Sequence, residues 1–255
     1  MEIITSLENQ IIKEVRSLQE KKYRRFYGKF VVEGPKFVRE AVYGGGQIDK
    51  VFVLASKIGE YGDILSEVKD KIYAVNEKIF AKISDTENSQ GILAEIVMPE
   101  RGMFVPNGDD ILVLDRISDP GNMGTIIRTA AATGYNTIIV LDCVDHYNPK
   151  VVRSSAGGIF YTIIYPLGLD EAIDVLKSHN YKIIIADARG ENVFRRQKPP
   201  SPNALVIGNE ANGPCEKIKA AADVMISLPM KKQVESLNAG VSASVLMYEL
   251  KKDSI

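Results

Sequence analysis

The sequence predicts an α/β protein built from two domains that a short linker joins. Short apolar runs rich in Val and Ile alternate with segments of helical period along nearly the whole chain, which is the pattern of layered α/β folds. The segment MPERGMFVPNGDD (98–110) has two prolines, two glycines and no apolar period, as linkers do. The apolar runs after it are nearly continuous, as in parallel strands covered on both faces. We therefore predict a small α/β domain at residues 1–98, a linker at 99–109 and a parallel-sheet domain at 110–255.

Size and composition indicate an ordinary globular protein. Of its 255 residues 45% are hydrophobic and 25% charged, so the chain can bury a sizeable core. The net charge of −1 means that a polyanion would have to be bound by a local basic patch. Cys143 and Cys215 stand far apart, which excludes a disulfide framework and favours no metal site. Because no apolar run approaches the roughly 18 residues of a membrane span and no signal-peptide pattern opens the chain, we expect a cytoplasmic protein.

The elements of the first domain follow from the spacing of its apolar residues. Five apolar residues between positions 7 and 18 recur at helical spacing and predict a helix within 6–20 that Ser6 or Asn9 caps. FVVEG (30–34) predicts a strand that ends at a Gly-Pro pair and is followed by a helix through Val42. The remaining predicted elements are strands at 48–56, 71–75 and 91–97 and a helix at 61–68.

A basic and aromatic patch, KKYRRFYGK (21–29), lies between the first predicted helix and the first strand. Its cations can meet phosphates, and its aromatic rings can stack on nucleobases. The alternative is that the patch is only the solvated end of the first helix. Our candidate RNA contacts here are Lys21, Lys22, Arg24 and Arg25.

The second domain contains a series of short, strongly β-prone runs. These are ILVLD (111–115), TIIVLD (137–142), IFYTIIY (159–165), YKIIIAD (181–187), ALVIG (204–208) and VMISL (224–228). In an open parallel sheet, ligands bind beyond the carboxyl ends of the strands. The loops after these runs are therefore where function is expected.

The first unusual loop is LDRISDPGNMGTIIRTAAATGY (114–135). Gly121 and Gly124 permit a close backbone approach, and Arg128 lies in the helix that follows. This loop is compatible with a tight turn that carries a surface arginine. It also loosely imitates a dinucleotide site of an oxidoreductase, which the G-x-x-G spacing disfavours.

Two further loops combine glycines with polar side chains. In VIGNEANGP (206–214) the glycines allow backbone contact with a ligand, and Glu210 adds a hydrogen-bonding group. The other loop leads into the last helix, where Ser236 or Asn238 can serve as the N-cap. In that helix we expect the inward-facing residues to be Val241, Val245, Leu246 and Leu250.

Taken together, the three loops resemble a known family. The motifs N-x-G-x-x-x-R-T-A (122–130), I-G-N-E-x-x-G (207–213) and P-M-x(5)-S-L-N-x-x-V-S-A (229–243) are similar to the three motifs of the SpoU or TrmH-like branch of the SPOUT methyltransferases. FVVEGPKFVREA (30–41) and SQGILAEI (89–96) resemble the L30e-like substrate-binding domain of the ribosomal-RNA members. The resemblance covers nearly the whole chain.

The resemblance implies an activity and an assembly. It implies an enzyme that transfers a methyl group from S-adenosylmethionine to a ribose 2′-hydroxyl of RNA, in 23S or other ribosomal RNA. It also implies a trefoil knot in the second domain and an obligate homodimer, with no metal. Two alternatives stay open: a transfer-RNA 2′-O-methyltransferase and a non-catalytic RNA-binding protein of L30e type.

Roles for individual residues also come from the resemblance. The matching polar active-site positions are Asn122, Arg128, Glu210, Ser236 and Asn238, and the matching cofactor-binding positions are Ile207, Gly208, Leu228, Met230 and Leu237. We expect Arg128 to orient an RNA phosphate rather than to accept a proton, because the guanidinium pKa lies above about 12. Glu210 would hold the loop geometry, while Asn238 and Ser236 would position the ribose or Arg128 and cap the helix.

Arg153, in the segment DHYNPKVVRSSAGGIFYT (145–162), is a further candidate. The segment looks like the corresponding one of the family, and Arg153 could contact the RNA backbone. The alternative is a solvated helix end.

Overall fold

The structure, a computed structural model, describes residues 3–197, 199–231, 233 and 236–254 and divides the chain into two compact units. The first unit comprises Met1–Glu100 and Tyr147–Phe160, and the second comprises Arg101–His146 and Tyr161–Ile255. Residues 147–160, which the sequence division places in the second domain, pack with the first unit. Glu40 illustrates this packing, since Gly157 lies so close to its side chain that a Cβ there would stand 2.9 Å from Cγ.

The first unit is a mixed sheet flanked by helices. Its elements are β1 (Ile3–Ile4), α1 (Gln10–Ser17), α2 (Lys21–Tyr27), β2 (Lys29–Glu33), α3 (Pro35–Tyr43), β3 (Ile48–Leu54), α4 (Gly62–Ser66), β4 (Ile72–Val75), α5 (Glu77–Ile83) and β5 (Ile92–Val97). The strand order is β1-β4-β3-β5-β2. β4 runs parallel to β1 and β3, and β5 runs antiparallel to β3 and β2. The apolar stripe predicted for the first helix is confirmed, because Ile12 and Val15 are buried and Asn9 caps α1 by accepting from Ile11 N at 2.9 Å.

The rest of the chain supplies the second unit and one helix of the first. Its elements are β6 (Ile111–Asp115), α6 (Pro120–Thr133), β7 (Thr137–Leu141), α7 (Pro149–Ser154, part of the first unit), β8 (Ile163–Pro166), α8 (Leu169–Ser178), β9 (Lys182–Asn192), β10 (Asn203–Gly208), α9 (Glu216–Ala221), β11 (Val224–Ser227) and α10 (Ala239–Lys251). Every neighbouring pair in the order β11-β9-β10-β6-β7-β8 is parallel. The predicted α/β class with a parallel sheet is thus confirmed, while the trefoil knot stays a prediction.

Two details of the chain after residue 110 differ from the sequence expectations. The run IFYTIIY forms a strand only at Ile163–Pro166, because Gly158–Phe160 makes a 3₁₀ turn. In α10, Val241 and Val245 are exposed, whereas Ala243, Leu246 and Leu250 are buried. Apolar residues occupy more than one side of this helix, so apolar spacing alone could not select the side that packs against the core.

Among the described residues there is no helix long and apolar enough to cross a membrane.

Candidate active site

The parallel sheet brings the three motif loops to one edge. β6 and β10 pair along their whole length, with Asp115 opposite Gly208 at their carboxyl ends. The loops after these two strands therefore start side by side. The third motif loop leads into α10, which packs against α6. The two helices are so close that a Cβ added to Gly240 would stand 3.2 Å from the Cβ of Thr125.

Glu210 joins the first loop to the second. Its Oε1 accepts from the backbone N of Asp119 at 3.3 Å and from Nδ2 of Asn122 at 3.1 Å. Its Oε2 accepts from Ser118 Oγ at 3.2 Å. Burial by itself raises the pKa of Glu210, but these hydrogen bonds outweigh it and lower the pKa. Glu210 is therefore ionised at neutral pH, and its charge is used to hold the loops together.

The side chains of Asn122 and Asn238 continue this connection into the third loop. Asn238 Nδ2 donates to Asn122 Oδ1 at 2.7 Å, and Asn238 Oδ1 accepts from Val241 N at 3.1 Å, which caps α10. We call the hydrogen-bonded set Asn122, Glu210 and Asn238 the amide network. Three motif residues that lie far apart in sequence are thus fixed to one another, and both ends of each amide are occupied by protein groups.

The second loop is tied to the end of β6 by further contacts. The buried carboxylate of Asp115 accepts from Cys215 N at 2.6 Å and from Arg116 Nε at 3.0 Å, and Arg116 also donates to the Gly213 carbonyl at 3.1 Å. The loop folds back so closely that a Cβ on Gly208 would lie 2.0 Å from Pro214 N. Only glycine fits at position 208.

A cleft of about 170 Å³ opens beside this loop. All five predicted cofactor-binding residues line it, together with Glu210 and Ser236: they are Ile207, Gly208, Leu228, Met230 and Leu237. The structure adds Ala186, Asp187 and Ala188 from β9 to the lining. The hydrogen bonds from Arg189 lower the pKa of Asp187 to about 2, so this carboxylate is ionised.

Arg128 stands apart from the amide network. It is exposed on α6, and it has no hydrogen bond or ion pair with any residue that the structure describes. Arg128 is thus a cation available for a ligand, unlike the arginines at positions 116, 153 and 189, which are paired with carboxylates.

The predicted RNA contacts separate into two groups. Lys21, Lys22 and Arg25 are exposed on α2. Arg24 is 2% exposed, and its Nη1 donates to the carbonyls of Leu18 at 2.8 Å and Gln19 at 2.7 Å. The prediction that Arg24 contacts RNA is therefore corrected, because its buried guanidinium is hydrogen-bonded to the carbonyls at the end of α1.

Arg153 is partly occupied. Its Nη1 donates to Asp85 Oδ2 at 2.6 Å within the first unit. An RNA phosphate would have to compete with this carboxylate, so a contact from Arg153 stays a prediction.

Sequence reasoning missed several residues that build the site. Ser118 and Asp119 hold Glu210, and Asp119 also caps α6 by accepting from Asn122 N at 2.7 Å. The Asp-Pro pair at 119–120 is a helix-start signal that could have pointed to this cap. Asp187 follows directly after the apolar run of β9, a place where a ligand-facing residue is expected in a parallel sheet.

Comparisons with known proteins agree with this geometry. The profile described as the SpoU rRNA Methylase family matches residues 109–248, and that described as the MRM3-like substrate binding domain matches residues 9–94. A curated relative, the 23S rRNA (guanosine(2553)-2′-O)-methyltransferase RlmP of Bacillus subtilis, is 30% identical over 98% of this chain and 100% of its own length.

Solved structures with the same fold cover the whole chain. The AdoMet-bound rRNA methyltransferase from Sinorhizobium meliloti has a TM-score of 0.88 at 25% identity, covering 100% of this chain and 98% of its own. An RNA 2′-O ribose methyltransferase has a TM-score of 0.85 at 30% identity, with 98% of both chains covered.

These matches confirm the family, the methyltransferase activity and the cofactor expected from the three motifs, and they disfavour the oxidoreductase alternative. The chain is an S-adenosylmethionine-dependent RNA methyltransferase and belongs to the SpoU rRNA methylase family.

Proposed function

We propose that the chain transfers a methyl group from S-adenosylmethionine to the 2′-hydroxyl of a ribose in ribosomal RNA. The observation that carries the proposal is the cleft at the strand ends, which has the amide network on one side and holds the predicted cofactor residues together. The ribosomal substrate is supported by the Bacillus subtilis relative, which acts on 23S rRNA, and by the match of residues 9–94 to a substrate-binding domain.

The lining of the cleft fits S-adenosylmethionine. Ile207, Leu228 and Leu237 supply apolar contacts for an adenine ring, and the bare backbone at Gly208 leaves its peptide groups within reach of a ligand. Asp187 also lines the cleft, and its ionised carboxylate is paired with Arg189. When bound, the cofactor supplies a methyl group on a positively charged sulfur.

The protein groups would act mainly by orientation. Holding two reactants in line can contribute about 7 to 11 kcal/mol to catalysis, and the amide network ties the three motif loops to one another. We assign phosphate positioning to Arg128, since its planar guanidinium has no partner among the described residues and matches phosphate oxygens. Asn238 is a positioning residue, because its amide is already engaged by Asn122 and by the backbone of α10.

Methyl transfer to a transcript of 23S rRNA tests the proposal. With labelled S-adenosylmethionine, we expect incorporation that maps to a single ribose 2′-oxygen. The Arg128→Ala variant should lose about 100- to 1000-fold in turnover, the usual effect of removing one electrostatic group from an active site, while it binds the cofactor as the wild type does. Wild-type turnover by Arg128→Ala would refute the role of Arg128, and methylation of a base instead of a ribose would refute the reaction.

We further propose that the active form is a homodimer formed through the outer face of α10. Val241, Val245 and Tyr248 recur at positions i, i+4 and i+7 and are exposed. Val245 and Tyr248 line a groove of about 620 Å³, together with Phe194, Ser244, Glu249 and Lys252. An apolar stripe of this kind on a helix marks an interaction surface.

Sedimentation of the purified chain tests the assembly. The wild type should sediment as a dimer, and Tyr248→Glu should shift the equilibrium towards the monomer, since it places a charge in the apolar face. Tyr43→Glu, at another exposed tyrosine, in the first unit, is the control. A monomeric wild type would contradict the proposal.

A further inference from the structure

The short helix α2 presents an exposed ring among cations. Phe26 is 78% exposed, although it belongs to a residue type that is usually buried. Lys21, Lys22 and Arg25 are also exposed on this helix, which has no acidic residue. Because residues three and four positions apart are neighbours on a helix, Lys22 and Arg25 lie next to each other and Phe26 lies next to Lys22.

Hydrogen bonds attach α2 to the end of α1. The buried guanidinium of Arg24 donates to two carbonyls at the end of α1, and Gly28 ends α2 in a left-handed conformation. On the side of the ring, Tyr27 meets Phe26 edge to face with the centroids 4.9 Å apart, and Tyr23 stacks on Tyr27. Phe26 is therefore an exposed ring that Tyr27 contacts on one side.

The cations on α2 are not equally free. Lys22 pairs with Glu20 at 3.3 Å and lies 4.5 Å from the centre of the Tyr23 ring. Lys21 and Arg25 have no hydrogen bond or ion pair with any residue within the described ranges. Two unpaired positive charges thus accompany the exposed ring.

We infer that Phe26 is a stacking platform for an unpaired nucleotide of the RNA substrate, with Lys21 and Arg25 contacting the flanking phosphates. Aromatic rings beside cations are the means by which proteins bind single-stranded RNA, because an unpaired base offers its face for stacking. In a duplex that face is hidden between base pairs, so the ring would have no partner. The inference rests on the proposed function, and it narrows the substrate to RNA that is unpaired where it meets the first unit.

Steady-state kinetics on the 23S rRNA transcript test the platform. Loss of a stacked base costs about 10- to 100-fold in affinity, so Phe26→Ala should raise KM by that factor with kcat unchanged. Phe26→Trp and Phe26→Tyr should restore KM, because they retain a ring. Tyr43→Ala is the control, because it removes another exposed ring of the first unit, on the helix that carries Arg39, which is paired with Asp63. This variant should leave KM and kcat unchanged.

A binding assay separates this inference from the proposed function. The probe is a 12-nucleotide RNA carrying 2-aminopurine, single-stranded or annealed to its complement. We expect fluorescence quenching with the single strand that Phe26→Ala abolishes, and no quenching with the duplex. The slope of log affinity against log salt should fall by about 1.4 when Lys21 and Arg25 are both replaced by Ala, since each phosphate contact on a single strand contributes about 0.7.

The outcomes are distinct. If the wild type methylates the transcript and Phe26→Ala has the wild-type KM, the platform is refuted and the proposed function stands. If the wild type methylates no RNA but quenches the single strand through Phe26, the proposed function fails and the platform stands. If the wild type binds vesicles of anionic lipid more tightly than the single strand, and Phe26→Ala abolishes that binding, the partner of Phe26 is a membrane and the platform is refuted. If Phe26→Ala changes the oligomeric state, the partner of Phe26 is a protein and the platform is likewise refuted.

Discussion

Each unit contains a polar cluster, and the two clusters differ in how their charges are used. In the first unit, Glu14, Lys29, Asp49, Lys50 and Glu95 form what we call the ionic cluster. In the second unit, the amide network consists of two neutral side chains and one carboxylate. Both cations of the ionic cluster are paired with carboxylates of the cluster. Arg128, which lies on the same helix as Asn122 of the amide network, has no hydrogen bond or ion pair with any described residue.

The ionic cluster has the character of a structural element. Lys29 Nζ lies 2.7 Å from both Asp49 Oδ2 and Glu95 Oε1, and Lys50 Nζ lies 2.6 and 2.8 Å from the same atoms. The three carboxylates are close enough to hold a cation, but the two ammonium groups already fill that place. Pairing of both cations with carboxylates indicates a structural role, whereas an exposed cation on the helix that also carries Asn122 indicates a site for a ligand.

The largest expected effect comes from breaking the ionic cluster. Lys29→Met removes a cation that lies 2.7 Å from both Asp49 and the buried Glu95, and at about pH 8, where Glu95 is ionised, this should lower the free energy of unfolding by about 3 to 5 kcal/mol. Urea denaturation measures the change. Lys13→Met, which breaks an exposed pair with Glu8, should change the free energy of unfolding far less, because water screens this pair. Equal losses from both variants would show that the cluster is no more than surface pairing.

The next effect concerns the loop at the cleft. In Gly208→Ala the new Cβ would collide with Pro214 N, so the loop must shift at a cost of about 1 to 3 kcal/mol. We expect the dissociation constant of S-adenosylmethionine in calorimetry to rise about 10- to 100-fold. Gly102→Ala has nothing within 4 Å of its Cβ and is the matched control. Unchanged cofactor affinity in Gly208→Ala would separate the cleft from cofactor binding.

A third prediction uses pH to sharpen the contrast. The pKa of Glu95 is raised from 4.5 to about 7, because burial and the hydrogen bond with Asp49 together outweigh the opposing effects of Lys29 and Lys50. A carboxyl with a raised pKa in the folded state stabilises the fold most below its unfolded pKa, and the contribution is lost as pH rises through the folded pKa. The pKa of Asp49 is lowered and that of Lys29 raised, so neither group titrates in this window.

The free energy of unfolding should therefore fall by about 2 kcal/mol between about pH 5 and 8 in the wild type, relative to Glu95→Gln. Urea titrations of both proteins across this range measure the difference. Parallel pH profiles would mean that Glu95 is ionised throughout. Glu210→Gln should not change the slope, because the pKa of Glu210 is lowered and its titration lies at lower pH.

The smallest expected effect divides the two roles of Asn238. Asn238→Ala removes the cap of α10 and the bond to Asn122, and should lower the free energy of unfolding by about 1 kcal/mol. Asn238→Ser keeps a capping oxygen and loses only the contact with Asn122. We expect Asn238→Ser to retain the stability of the wild type with a reduced kcat. If Asn238→Ser has the kcat of the wild type, Asn238 serves only as the N-cap of α10.

Much of the fold could be predicted from local pattern. Strands β2 to β5 of the first unit, the strands of the second unit and the first helix follow from apolar periodicity and end signals such as Asn9, whereas the two-residue strand β1 was not predicted. The side of α10 that faces the core could not, because Val241 and Val245 are as apolar as the residues that pack inside. The residues of the three motifs were predictable only as a set, through resemblance.

By itself the sequence determined the α/β class, the parallel sheet of the second unit and the candidate residues at its strand ends, because these depend on periodicity and on the order of elements. The tertiary structure alone decided which polar groups are spent and which are free. It buries Arg24 against the end of α1, joins Asn122 to Glu210 and Asn238, and leaves Arg128 and Phe26 exposed. The physical reason is that the availability of a charge or a ring depends on neighbours that come from distant parts of the chain, and only packing brings those neighbours together.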